Sequence, residues 1–451
     1  MNIIIVGAGE LGRLLAARLS AATHNVSVID SSRMDFEQLR DKLDVMTIGG
    51  EGTDIAVMKR AGIKDANLLI AVSGNQDANI LACQIAGHFG VPKNICRLYS
   101  RNTFSPEDGL TPESFGLDRT FSSPDECAQH VMDVLRQPLV LERIHFSNPM
   151  ATMVTIRIGT NSPLKGLKIK DIPGTDIMNN IRVAAMVRRN RLMVPHGDTE
   201  LWEDDRLYIA GRQDHVEHFL AYAAGEGARQ PDKPLVVIAG ANRLSATIAA
   251  ACLEDGMQVR VIDESQERCE IFLGRMAPGV LAVRGSSNDE DVLEEAGAQK
   301  CDAFVSAMDD DENNILSCVL AKGLGARKVI TVTHKPEYIN IVPAMDVIDC
   351  GFNTTLVSAN AVFRLMEQGI IRIDSRLQAF QAHLSEFTIS EKSKLCGKLI
   401  RECGLPHSIV LAMIIRNEEV IAPAGNTHLR FRDTVIAILT PSAEEQLKAY
   451  L

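Results

Sequence analysis

Apolar residues fall into two alternating patterns along the chain. Runs such as IIIV at 3–6 and LLIAV at 68–72 are continuous and bounded by Asn, Gly and Ser. Between them lie stretches such as ELGRLLAARLSA at 10–21, apolar at every third or fourth position. Short continuous runs fit strands covered on both faces, and the 3.6-residue period fits helices. Their alternation predicts a parallel sheet with helices on both sides. Elsewhere, short alternating strands separated by Gly, Pro and Asn turns predict smaller α+β units.

The pattern is written twice. IIIVGAGELGRLLAARL returns as LVVIAGANRLSATIAAACL, and NVSVID at 25–30 returns as QVRVID at 258–263. Asn79-Ile80-Leu81 returns as Asn314-Ile315-Leu316, so the offset drifts only from 233 to 235 residues. SPLKGLKIKDI at 162–172 returns as SKLCGKLIREC at 393–403. Such register signals internal duplication. The predicted fold class is therefore α/β, in two tandem repeats. Each repeat is a Rossmann-like doubly wound parallel sheet followed by a small α+β domain.

The expected divisions are a first sheet domain over 1–122, a crossover helix over 123–142 and a small domain over 143–226. A Gly-, Pro- and charge-rich linker follows at 227–234. The second sheet domain spans 235–352, its crossover helix 353–369 and its small domain 370–451. The crossover helices read as capped by Ser123, with Pro124 behind it, and by Asn353 or Thr354. Each docks either on another subunit or on its own domain.

GAGELG places Gly7, Gly9 and Gly12 between a strand and a helix. Gly7 allows the tight turn, Gly9 lets a pyrophosphate approach the backbone, and Gly12 lets helix and strand pack closely. Asp30, 18 positions after Gly12, ends the second strand. A carboxylate there accepts hydrogen bonds from ribose hydroxyls and repels a 2′-phosphate, which favours NAD or NADH. Ser73 and Gly74 follow the fourth strand, and Arg97 and Arg101 lie around the fifth. Arg97 meets either a phosphate, of ATP or ADP as well as NADH, or a surface carboxylate.

The second copy keeps Gly240 and Asp263 but replaces the close-approach glycine with Asn242 and the packing glycine with Ser245. Asn tolerates a left-handed backbone, so the turn is expected to survive. Asp309, Asp310 and Asp311 replace the SGNQD loop residues, and Val332 replaces Arg97. The triple Asp is either a cation site or a solvated loop and helix cap. The second site is expected to hold an adenosine moiety but to bind a diphosphate more weakly.

Composition narrows the class. A net charge of −11 with 4% aromatics argues against nucleic acid, which needs clustered cations and stacking platforms. Ten cysteines without a C-x-x-C pair read as buried free thiols of a reducing compartment, hence a cytoplasmic chain. No stretch is apolar enough for a membrane span. No nucleophile elbow, zincin or P-loop motif occurs, and His215 and His218 read as a helix surface. A catalytic set and a metal site are therefore not expected. An NAD-dependent dehydrogenase with duplicated Rossmann domains stays as the alternative.

The glycine motif with Asp30, GGEGT at 49–53, AVSGNQDAN at 71–79, Arg97 and the SPLKG…VPHGDTEL unit together resemble the RCK (regulator of potassium conductance) module. Two such modules in one chain resemble the peripheral subunits of bacterial Trk potassium-uptake systems. The resemblance implies a cytoplasmic nucleotide-binding regulator, usually a homotetramer, held at the inner face of the cell membrane by a potassium-translocating Trk subunit. It implies NAD or NADH, and ATP or ADP, as ligands. The implied contacts are Gly7, Ala8, Gly9, Glu10, Leu11, Gly12, Asp30, Ser73, Gly74, Arg97 and Leu98, with Gly240, Asn242 and Asp263 in the second module.

Overall fold

The computed structural model describes residues 1–32, 36, 39, 43–173, 180–189, 191–225, 233–342, 345, 347–366, 371–373, 382–406, 408–440 and 443–451. The chain divides into two compact units. The first holds residues 1–128, 334–336 and 353–366; the second holds 129–333, 337–352 and 367–451.

The first unit is built on a six-stranded parallel sheet. Its strands are β1 (Asn2–Val6), β2 (Asn25–Asp30), β3 (Met46–Gly49), β4 (Leu68–Ala71), β5 (Asn94–Leu98) and β6 (Arg119–Ser122), in the order β3-β2-β1-β4-β5-β6. The order reverses between β1 and β4, which is where a doubly wound sheet opens its crevice. Ile4, Val6, Leu69 and Ala71 pack toward the helix Gln76–His88, through Ala82, Cys83 and Ala86. Ile3, Ile5, Val28 and Ile70 pack toward the helix Glu10–Ala21, through Leu15 and Leu19.

That second face is completed from far along the chain. The helix Thr354–Met366 lays Ala359, Ala361, Val362 and Met366 into the same cluster as Leu15 and Leu19. Arg364 bonds Glu126 at 2.9 Å, and the Ser358 hydroxyl donates to Ser123 at 2.8 Å. The alternative of packing on its own domain does not describe it. It packs on the first repeat of its own chain, because an apolar helix face records only that it must be covered and not by what. The caps also differ at one end: the Ser122 hydroxyl, not Ser123, accepts the Asp125 N–H at 3.3 Å, while Asn353 accepts from Leu356 as expected.

In the second unit, β7 (Val140–His145), β8 (Ala151–Arg157), β9 (Ile181–Arg188), β10 (Arg191–Met193) and β11 (Arg206–Arg212) form an antiparallel sheet, ordered β10-β9-β11-β8-β7. The second Rossmann sheet runs β14-β13-β12-β15-β16-β17. Its strands are β12 (Leu235–Ala239), β13 (Gln258–Asp263), β14 (Leu281–Arg284), β15 (Ala303–Ser306), β16 (Val329–Thr333) and β17 (Cys350–Asn353). The last sheet, β18-β19-β22-β20-β21, uses β18 (Ile371–Ile373), β19 (His383–Thr388), β20 (Ile409–Arg416), β21 (Glu419–Ile421) and β22 (Thr434–Leu439). Each small sheet pins its last turn with a two-pronged ion pair, Arg188 to Asp205 and Arg416 to Asp433, at 2.6–2.8 Å. The two small sheets also meet, where Arg182 donates to the Pro423 carbonyl at 2.6 Å.

The helix Ser123–Arg136 passes from one unit to the other. Its second half belongs with the second Rossmann sheet. There the Met132 and Cys252 sulfurs lie 3.6 Å apart and Arg136 pairs with Asp255 at 2.7 Å. Lys328 ties down the end of this helix through the carbonyls of Val134, Pro138 and Val140. All ten cysteines are free; nine are buried and Cys396 is half-buried. Burial pushes the Cys252 and Cys301 thiols up to about 12, so they act as packing rather than as nucleophiles.

Candidate nucleotide site

The sequence-selected residues converge at the carboxyl edge of β1, β2, β4 and β5 in the first unit. Gly7 turns the chain with φ at +110°, and a side chain there would meet the Ser73 amide at 2.8 Å. A side chain at Gly12 would meet the Gly7 carbonyl at 1.8 Å. These two glycines let the turn, its helix and the β4 loop share one small volume. Gly9 differs, because a Cβ there would meet nothing within 4 Å. It stands at the start of the helix Glu10–Ala21, and no side chain caps that start. The helix therefore offers amide donors and its positive dipole end to an anion.

Asp30 is fixed before any ligand arrives. Its Oδ2 accepts the Ala8 N–H at 2.6 Å and its Oδ1 accepts the Ser32 N–H at 2.8 Å. Each carboxylate oxygen has a second lone pair, so two acceptor positions remain for hydroxyls. Arg97 is half-buried on β5, and no hydrogen bond or ion pair holds its guanidinium among the described residues. Burial lowers its affinity for the proton. Ala8, Leu11 and Leu98 have their side chains in the core, leaving only their backbones for a ligand. Glu10 is exposed and pairs with Arg13. Of Arg101 only the backbone lies within the described structure.

Asn79 holds the site together and was not among the sequence candidates. It is buried, and its Oδ1 accepts the Ser73 N–H at 3.0 Å and the Ser73 hydroxyl at 2.7 Å. Its Nδ2 donates to the carbonyls of Ser73 and Arg97, both at 3.1 Å. One side chain thus ties the β4 loop to β5. The repeat of Asn79 at Asn314 was the available signal, and Asn314 ties Met308 to Val332 in the same way.

The second copy has the same frame and a different cradle. Asp263 accepts the Ala241 N–H at 2.8 Å and the Ser265 N–H at 2.9 Å, matching Asp30. Gly240 keeps the positive φ, at +99°. Asn242 does not take the left-handed backbone that its residue type allows; it is extended, at φ −109° and ψ −173°. Its Oδ1 instead accepts the Ser245 N–H at 3.0 Å, and its Nδ2 donates to the Ala307 carbonyl at 2.6 Å. Ser245 is buried with no hydrogen-bond partner for its hydroxyl among the described residues. Asp310 caps the helix Asp311–Leu324, and Asp309 is exposed with Arg268 at 3.7 Å. Among the described residues no three His, Cys, Asp or Glu side chains could hold a metal ion.

Residues 3–111 and 236–349 match the TrkA-N domain, and residues 153–224 and 384–451 match the TrkA-C domain. The chain belongs to the TrkA-N/TrkA-C family. The Trk system potassium uptake protein TrkA of Halomonas elongata is 28% identical over 445 residues, covering 97% of this chain and 95% of that protein. Among solved structures, the GsuK RCK domain covers all of this chain and 94% of its own, with a TM-score of 0.62 at 17% identity. The GsuK channel bound to NAD has the same TM-score at 18% identity, over 78% of its chain. The TrkA-N matches fall on the two Rossmann sheets and the TrkA-C matches on the two small antiparallel sheets. Among the described residues no helix is long and apolar enough to cross a membrane.

Proposed function

We propose that the chain is the nucleotide-binding regulatory subunit of a Trk-type potassium-uptake system, cytoplasmic and attached to the membrane through a potassium-translocating partner. The observation that carries this reading is the helix start at Gly9, which no side chain caps, beside an anchored Asp30 and an Arg97 that nothing pairs with among the described residues. NAD or NADH fits that arrangement, with its diphosphate on the amides of Glu10, Leu11 and Gly12 and its ribose hydroxyls on Asp30. Gly7 and Ala8 shape the turn, while Ser73, Gly74, Arg97 and the Leu98 backbone complete the far wall. ATP and ADP share the adenosine and phosphate chemistry and are assigned as competing ligands. The names of the curated relatives support the potassium-uptake role. The reading assigns no catalytic step. The functional assembly is a homotetramer, and the domains divide at 122, 142, 226, 234, 352 and 369.

A ligand changes an equilibrium only through its differential affinity for two shapes, so ligands of different length and charge are the natural effectors. The test is ion flux in liposomes holding the full chain and its translocating partner, titrated with NADH, NAD, ATP and ADP. Flux that depends on the nucleotide, and a response lost in Asp30→Ala, are expected. Flux indifferent to every nucleotide overturns the proposal. A charge-assisted hydrogen bond contributes about 1.5–3 kcal/mol. Asp30→Ala is therefore expected to weaken NADH binding roughly ten- to a hundred-fold by calorimetry.

A further inference from the structure

The two Rossmann units share a turn, an acid and a buried Asn, and differ in what occupies the phosphate cradle. We propose that Asn242 closes the second unit to nucleotides carrying a diphosphate, so that one such ligand binds per chain, at the first site. This rests on the nucleotide reading of the first site given above. Asn242 reaches the Ser245 amide with its oxygen and the Ala307 carbonyl with its nitrogen, at 3.0 and 2.6 Å. The carboxamide therefore spans the volume a diphosphate needs and takes an amide it would use. Gly9 leaves the same volume open.

Three neighbouring positions agree with that closure. Val332, fully buried, stands where the first copy has Arg97. Asp309 stands where the first copy has Gly74, and it adds a negative charge at the mouth. Met308 replaces Ser73 and lies against Gly240. Asp263 keeps its two backbone contacts throughout. The second unit thus retains the group suited to ribose hydroxyls and lacks those suited to phosphate. Asn242 also caps its helix, but glycine serves as an N-cap almost as well, so stability alone does not require the side chain.

Calorimetric titration of the full chain with NADH, and separately with ADP, tests the assignment. The wild type is expected to bind one equivalent per chain, and Asn242→Gly a second one, bound more weakly than the first because Val332 and Asp309 remain. The reciprocal change, Gly9→Asn, should place a cap in the first cradle. Gly9 already has φ −61° and ψ −176°, and a Cβ there meets nothing. That variant should fold, as judged by its thermal melt, and bind NADH at least ten-fold more weakly. Two equivalents bound by the wild type, one of them lost in Asp263→Ala, overturns the proposal. So does a Gly9→Asn chain that binds like the wild type, or a folded Asn242→Gly chain that still binds one equivalent. A wild type that binds neither ligand overturns the reading of the first site, and this inference falls with it.

Discussion

Asn79 and Asp133 show how single buried side chains set local behaviour. Asn79 ties the β4 loop to β5, and Asn79→Ala leaves the Ser73 and Arg97 carbonyls without its amide. Each buried group left unsatisfied costs about 1–3 kcal/mol. Urea titration should register a loss of that order, accompanied by weaker NADH binding. Asn314→Ala should register a similar loss while leaving first-site binding unchanged. Asp133 is also buried. Burial pushes its carboxyl up, but His145, with Nε2 2.6 Å away, the charge of His130 and the Gln129 amide outweigh burial and hold it below the ordinary value. A carboxyl depressed in the folded state stabilises above its unfolded value, and that stability is lost as pH falls through the folded value. Melting temperatures of the wild type should therefore fall steeply from about pH 4 downward. Those of Asp133→Asn should fall less steeply over the same range.

At the scale of elements, the helix Thr354–Met366 carries a large share of the first unit's closure. Met366→Ala removes a buried side chain from that contact, and such truncations cost roughly 2–5 kcal/mol. Chemical denaturation followed by a probe in the first unit measures it. This helix also marks where the sequence stopped being legible. Its apolar stripe and its start at Asn353 were readable, because both are local. Its resting place was not, since the residues it covers, Leu15 and Leu19, lie more than three hundred positions earlier. The same boundary runs through the nucleotide site. Gly7, Gly12 and Asp30 were legible because strand, turn and helix follow one another directly. Asn79 was not, since an Asn on a helix reads as a solvent-facing residue until the carbonyls of 73 and 97 are placed around it. The weaker diphosphate site expected at Asn242 followed from its local position, and its cap on Ser245 is local too, but its bond to the Ala307 carbonyl, 65 residues away, was not legible.

At the scale of the whole molecule, the repeats are sequential in the chain and interleaved in the fold. Residues 353–366 belong to the first unit and residues 129–136 to the second. A fragment ending at residue 225 holds every candidate residue of the first nucleotide site but lacks the helix that covers Leu15 and Leu19. It is expected to melt without a sharp transition and to bind an apolar dye, whereas the full chain melts cooperatively. Dye fluorescence and calorimetry together distinguish the two.

The interleaving also sets a timetable for synthesis. The ribosome emits the last strand of the first sheet at residue 122 and the helix that seals that sheet only at residue 366. At about 5–20 residues per second, the gap lasts roughly 10–50 s. Throughout it, the nascent first unit displays the apolar face of its own helix Glu10–Ala21 to whatever surrounds it.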